Sequence, residues 1–186
     1  MQLLKMIGIA GSLRKDSFNK IILRHMAEQQ RPKTVNFSIY DLKHIPLFNG
    51  DLEENGDPEA VIHFKKAVDK ADGLVIVTPE YSHGVPGVLK NTLDWAASVT
   101  NQNVLDNKPA FVLGASPSPL GTAFAQAQVK QTLAAAGALV LQQPELYIGS
   151  IQNKLDEAGN LTDKKTSKAL GQSMETFIQW IQKMNR

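Results

Sequence analysis

Apolar runs bounded by turn residues recur along the chain at 3–10, 35–40, 73–78, 110–115 and 138–141, the last with a continuation at Leu146-Tyr147-Ile148. Their length and their Val, Ile and Leu content predict five strands. Leu74-Val75-Ile76-Val77 shows no polar alternation, which is the pattern of a strand covered on both faces in a parallel sheet. Between these runs the apolar spacing becomes helical. Residues 17–30 carry Ile21, Ile22 and Met26, and 58–71 carry Val61, Ile62, Phe64, Ala67 and Val68 behind a proline in the first turn. Residues 86–99 and 121–136 follow the same rule, and 163–184 repeat Leu170, Met174, Phe177, Ile178 and Ile181. Alternating strand and helix predicts a doubly wound α/β sheet whose right-handed crossovers place helices on both faces. Such sheets bind ligands outside the carboxyl ends of their strands.

A length of 186 residues fits one domain, taken as 1–186. With 42% hydrophobic and 20% charged residues the composition is that of an ordinary globular protein. The net charge is +2 and the 20 basic residues are scattered, so no basic stripe exists to track a nucleic-acid backbone. No apolar stretch approaches the roughly 18 residues of a membrane span. Met1-Gln2-Leu3-Leu4-Lys5 lacks the architecture of a secretory signal, and a cytoplasmic location is expected. Cysteine is absent, which excludes disulfides and thiolate metal sites, so redox chemistry would require a bound cofactor. His25, His44, His63 and His83 are dispersed without ligand spacing, and no metal is expected. Two turn-rich loops, 43–58 and 150–162, read as surface connections shaping a rim or a subunit contact.

Candidate chemistry begins where the first strand ends, at Gly11-Ser12-Leu13-Arg14-Lys15-Asp16-Ser17-Phe18-Asn19. Gly11 can take backbone angles closed to other residues. Ser12 and Ser17 offer hydroxyls, Asn19 an amide, and Arg14 a planar permanent charge matched to phosphate oxygens. The first N–H groups of the following helix add a positive end, and the stretch predicts a phosphate site.

A second stretch, Thr78-Pro79-Glu80-Tyr81-Ser82-His83-Gly84-Val85-Pro86-Gly87, leaves the third strand at the same sheet edge. Its prolines and glycines hold backbone groups rigidly, and Tyr81 can lie beside a flat ring, so the loop suits a planar heteroaromatic ligand. Farther on, Leu89 and Trp95 read as helix core. Lys90 and Asp94 read as a surface pair, and Lys90, Asn91 and Asp94 as fixing this second loop or a subunit contact. After the fourth strand, Ser116-Pro117-Ser118-Pro119 forms a third loop beside the other two, with Gly121 and Thr122 able to cap the next helix.

Together these stretches resemble the NADPH-dependent FMN reductases of flavodoxin-like fold, a family that includes bacterial quinone, azo-dye and chromate reductases. The shared patterns are Gly-Ser-x-Arg-x-x-Ser-x-Asn after the first strand and Pro-Glu-Tyr-Asn-x-x-x-Pro-Gly-x-Leu-Lys-Asn-x-x-Asp-Trp after the third. The resemblance implies a five-stranded parallel sheet in the order 2-1-3-4-5. It also implies that Ser12, Arg14, Ser17 and Asn19, with Phe18 adjoining, hold the FMN phosphate. Pro79, Glu80, Tyr81 and Ser82 would border the isoalloxazine, with Ser116 as a further contact. NADPH or NADH would deliver hydride to the flavin, and quinones or similar electrophiles would collect it in a ping-pong scheme without a catalytic side chain. A homodimer or homotetramer is implied as well. Two departures stand out: Ser82 replaces the usual Asn, and Gly121-Thr122-Ala123-Phe124 stands where relatives often show Gly-Gly-Ala-Arg.

Rival readings rest on less. A flavodoxin-type one-electron carrier is typically strongly acidic, against a pI near 8.8 here. A hydrolase nucleophile at Ser116 lacks the second glycine of the elbow, since position 118 is Ser. Gly8-Ile9-Ala10-Gly11 is not a dinucleotide fingerprint.

Overall fold

Leucine, isoleucine and valine alternate between two faces in every central strand, and the two sets meet different helices. In the computed structural model, which describes residues 3–30 and 32–184, β1 (Leu4–Ala10) sends Met6 and Ala10 to one side and Ile7 and Ile9 to the other. Met1 and Gln2 of the N-terminal segment read above lie outside the described residues. The partners of β1 are β2 (Val35–Tyr40) and β3 (Gly73–Val77), and β3 in turn pairs with β4 (Pro109–Ala115). All pairs are parallel, and the order is β2-β1-β3-β4-β5, as the resemblance implied.

One layer consists of α1 (Phe18–His25), prolonged by a π-helical turn at Met26–Gln30, and α6 (Lys164–Met184). Ile22, Leu23, Leu170, Met174, Phe177 and Ile181 pack there on Met6, Val75 and Phe111. On the other face α3 (Glu59–Asp69), α4 (Gly87–Ala97) and α5 (Ala123–Ala135) bury Phe64, Val68, Leu89, Leu93, Val129 and Leu133 against Ile7, Ile76 and Val112. Each such side chain contributes about 1.5 to 3 kcal/mol through removal of apolar surface from water. Leu89 and Trp95 are fully buried, as their spacing predicts. Gly137 ends α5 at φ +82°: its N–H donates to Ala134 O, and the Ala138 N–H reaches back to Leu133 O. That pair of bonds is the Schellman arrangement, which satisfies carbonyls the helix leaves open.

Two segments differ from the sequence reading. The fifth strand is split into β5 (Leu139–Val140) and β6 (Tyr147–Ile148), which pair in parallel with opposite ends of β4. Between them stands Pro144, which has no N–H to give a ladder. Loop 43–58 is also more ordered than its turn residues suggested, containing α2 (Gly50–Glu54) capped by the Asn49 side chain. The Lys65 ammonium lies buried 2.7 Å from Asp57 Oδ2 and 3.9 Å from Glu53 Oε1, and Asn101 donates to Asp57 at 2.8 Å. Pro46 O accepts from both Asn91 Nδ2 (2.8 Å) and Trp95 Nε1 (2.9 Å), and Phe48 N donates to Asn91 Oδ1, so Asn91 braces this loop rather than the expected one after β3. Lys90 and Asp94 form the expected surface pair at 2.6 Å.

The register brings the three chemistry-bearing loops together. Gly11 N donates to Val77 O, Thr78 N to Leu113 O and Ser116 N to Ile148 O, each at 2.9 Å. Positions 11, 78 and 116 thereby stand side by side at the carboxyl edge of β1, β3 and β4.

Candidate functional site

Nine of the ten residues singled out from the sequence line one depression at this edge: Ser12, Arg14, Ser17, Phe18, Asn19, Pro79, Glu80, Tyr81 and Ser116. Ser82 does not line it. Ala115 and Pro117 complete the wall; both flank Ser116 in the third loop, and that adjacency was the sequence signal for them. The depression measures about 70 Å³, well below the roughly 300 Å³ at which small-molecule sites begin, so a larger ligand would have to extend out of it onto an open shelf beside the half-exposed Tyr81.

Gly11 turns into the first loop without a positive φ, contrary to the conformational role expected of it. What it supplies is space. A Cβ there would stand 3.0 Å from Leu89 Cδ2 and 3.2 Å from Pro79 Cδ, wedging the first two loops apart. Ser17 occupies the N-cap of α1 in extended conformation, yet its buried hydroxyl makes no capping bond. The first amides of α1 are therefore left without a side-chain cap, which leaves the positive end of the helix open. Ser12, also buried, accepts from the Arg14 N–H at 3.3 Å. The exposed Arg14 guanidinium has no ion-pair partner among the described residues. An unpaired guanidinium, two hydroxyls and an uncapped helix start form a strong anion-binding set.

Asn19 has a different emphasis from the one its motif suggests. Its Oδ1 accepts from Ala115 N at 2.8 Å and its Nδ2 donates to Ala115 O at 3.0 Å, both buried. The side chain thus fastens the start of α1 to the end of β4, keeping one Nδ2–H in reserve.

At the shelf, Tyr81-Ser82-His83-Gly84 closes a tight hairpin turn, with Tyr81 and Gly84 exchanging bonds of 3.2 and 3.0 Å. Ser82 (φ 49°) and His83 (φ 58°) both sit in the left-handed region, the geometry of a type I′ turn. That explains why Asn, tolerant of such angles, suits position 82. Tyr81 is half exposed, its ring open on the shelf. Two contacts from α5 hold the turn: Gln128 Oε1 accepts from Val85 N at 3.0 Å, and its Nε2 donates to His83 O at 3.2 Å. In return, Glu80 reaches across to accept from Ala125 N at 2.9 Å in the first turn of α5, a cap that Thr122 does not provide. His83 lies 3.5 Å from Glu80 and edge-on to Phe124. Ser116 Oγ accepts from Ser118 N, which stiffens the third loop.

Known proteins resemble this chain over nearly its whole length. The family model described as NADPH-dependent FMN reductase matches residues 4–153. A 2-hydroxy-1,4-benzoquinone reductase of a Burkholderia species is 38% identical, with 96% of each chain covered. An NAD(P)H-dependent FMN reductase of Pseudomonas aeruginosa is also 38% identical, with 97% of each covered. Among solved structures, the flavoenzyme NAD(P)H:(acceptor) oxidoreductase FerB from Paracoccus denitrificans superimposes with a TM-score of 0.85 at 35% identity, covering 97% of this chain and 98% of its own.

Proposed function

This chain belongs to the NADPH-dependent FMN reductase family, and from that premise we propose that residues 1–186 act as one FMN-binding domain passing hydride from NADPH or NADH to quinones or similar small electrophiles. One observation carries the reading: the unpaired Arg14, the Ser12 and Ser17 hydroxyls and the uncapped α1 terminus line one depression together with the half-exposed Tyr81.

These residues fit FMN. The depression would take a phosphate, whose charge Arg14 and the α1 amides would offset, and the tricyclic ring would extend out of it over the shelf. When bound, FMN would supply the hydride acceptance and donation of a ping-pong exchange. Pro79, Glu80, Tyr81 and Ser116 would border the ring, with Ser82, exposed at the turn's corner, as the outermost contact. The Glu80 carboxylate, committed to Ala125 N, orients the shelf rather than moving a proton. No side chain is assigned as acid or base. A homodimer or homotetramer would cover the open side of the shelf, and Leu47 and Val99, each 82% exposed, are apolar surface available to it. Among the described residues no helix is long and apolar enough to cross a membrane, in keeping with a cytoplasmic enzyme of small-molecule acceptors.

The absorbance spectrum of the purified protein tests the reading. Paired flavin bands that bleach with NADPH and return with a quinone are expected; a colourless protein that takes up no added FMN overturns it.

A further inference from the structure

On the other flank of the phosphate loop lies a larger slot of about 330 Å³, at the carboxyl ends of β1 and β2. Ala10 and Tyr40, the last residues of those strands, form its base, and Leu23, Ile39 and Leu42 give it apolar walls. Ile39 is 45% exposed, an isoleucine left uncovered where a strand end would normally be sheltered. Three cations rim the slot: Lys15, next to Arg14 in the loop, and Lys20 and Arg24 on α1. None of the three has an ion-pair or hydrogen-bond partner through its side chain among the described residues. The one acid at the rim, Asp41, already accepts from Lys43 N at 3.0 Å as the cap of a short 3₁₀ turn.

An apolar slot ringed by unpaired cations is complementary to a flat ring that carries more than one negative charge. Its volume lies in the range of small-molecule sites, and it opens at the sheet's carboxyl edge beside β1, one strand away from the β1/β3 switch point where the FMN depression stands. We propose that this slot receives the phosphorylated adenosine end of NADPH, with Lys15, Lys20 and Arg24 gripping the 2′-phosphate and thereby setting a preference for NADPH over NADH. The proposal rests on the reading of the protein as an NAD(P)H-dependent enzyme. It adds the part of the surface that tells the two cosubstrates apart. A dinucleotide lying across the Gly11–Ser17 loop would place its two ends on the two flanks of that loop. The 2′-phosphate is the sole chemical difference between the cosubstrates, and only the β2 flank offers cations in excess of those assigned to FMN.

The test uses the flavin-loaded protein and its Lys15→Ala/Lys20→Ala double variant. Both lysines lie outside the core and hold no partner, so their removal leaves the fold intact. Calorimetric titration with 2′,5′-ADP and with 5′-AMP reads the slot without turnover, and kcat/KM for NADPH relative to NADH reads it in catalysis. In the wild type 2′,5′-ADP should bind about tenfold or more tightly than 5′-AMP, the size of one or two charge-assisted hydrogen bonds. In the double variant, which keeps Arg24, that difference should shrink at least about threefold and the kcat/KM ratio should fall by a similar factor. Equal binding of the two nucleotides to the wild type, or a double variant whose preference is undiminished in either measurement, overturns the proposal. A protein that neither holds FMN nor oxidises a nicotinamide overturns the preceding reading instead, and the nucleotide titration still reports on the slot.

Discussion

The Glu80 carboxylate caps a helix it does not belong to, accepting from the Ala125 N–H at 2.9 Å across 45 residues of chain. Its side chain is only 12% exposed, so the charge sits close to the positive end of α5 and fixes the second loop on that helix. Glu80→Ala should lower the unfolding free energy by about 1 to 2 kcal/mol, the usual range for loss of a cap. Glu80→Gln keeps the accepting oxygen and should recover most of it. Urea unfolding of both variants measures the difference. Equal losses would show that charge rather than the hydrogen bond holds the loop.

Two residues of one motif should separate cleanly. Arg14→Ala removes an exposed, unpaired charge. It should weaken FMN binding by about 1.5 to 3 kcal/mol, read by quenching of flavin fluorescence, and leave stability within about 0.5 kcal/mol. Asn19→Ala strands the buried N–H and C=O of Ala115 and should cost about 2 to 4 kcal/mol in urea unfolding. An Arg14 variant with undiminished FMN affinity would remove that residue from the phosphate site.

Backbone strain at the shelf predicts a gain. Ser82 holds φ 49°, a conformation that Asn adopts more readily because its short polar side chain bonds locally. Ser82→Asn should therefore raise stability by about 0.5 kcal/mol without disturbing the depression, which Ser82 does not line. Thermal unfolding with and without FMN checks both halves of this expectation.

Alkaline titration should distinguish the tyrosines. Burial, and then the hydrogen bond and charge of Glu145, push the Tyr147 phenol up to about 12, and burial raises Tyr40 as well. Because the folded value lies above the unfolded one, Tyr147 contributes stability below pH 10 that is lost as the pH rises through about 12. Ultraviolet titration of tyrosinate in the wild type and in Tyr147→Phe should show that the variant lacks the latest-ionising phenol. Persistence of that phase in the variant would assign it elsewhere. Lys130, and then Tyr147, hold the Glu145 carboxyl below its ordinary value, so the cluster also weakens in acid as Glu145 takes up its proton.

Much of this protein was legible in one dimension. Periods of two and of 3.6 record which face of each element is buried, and burial is a local property of side-chain pattern. The alternation of strand and helix therefore yielded the layers. With the motif resemblance, the strand order followed too, and the carboxyl-edge rule then gathered Ser12, Arg14, Ser17, Pro79, Tyr81 and Ser116 before any contact was known. What packing alone decided is where polar groups find partners far away in sequence. Asn19 meets Ala115 across 96 positions and Glu80 meets Ala125 across 45, so neither role is written in a local spacing. Gly11 is required by the approach of Leu89 rather than by its own torsion angle, and the order of loop 43–58 comes from Lys65, Asn91 and Trp95. Lys20 and Arg24, four apart on one face of α1, and Lys15 just before it become the rim of a slot only when α1 lies beside the end of β2. Hydrophobic pattern specifies a face; hydrogen bonds and charges act between points, and only the folded chain sets the distance between two points.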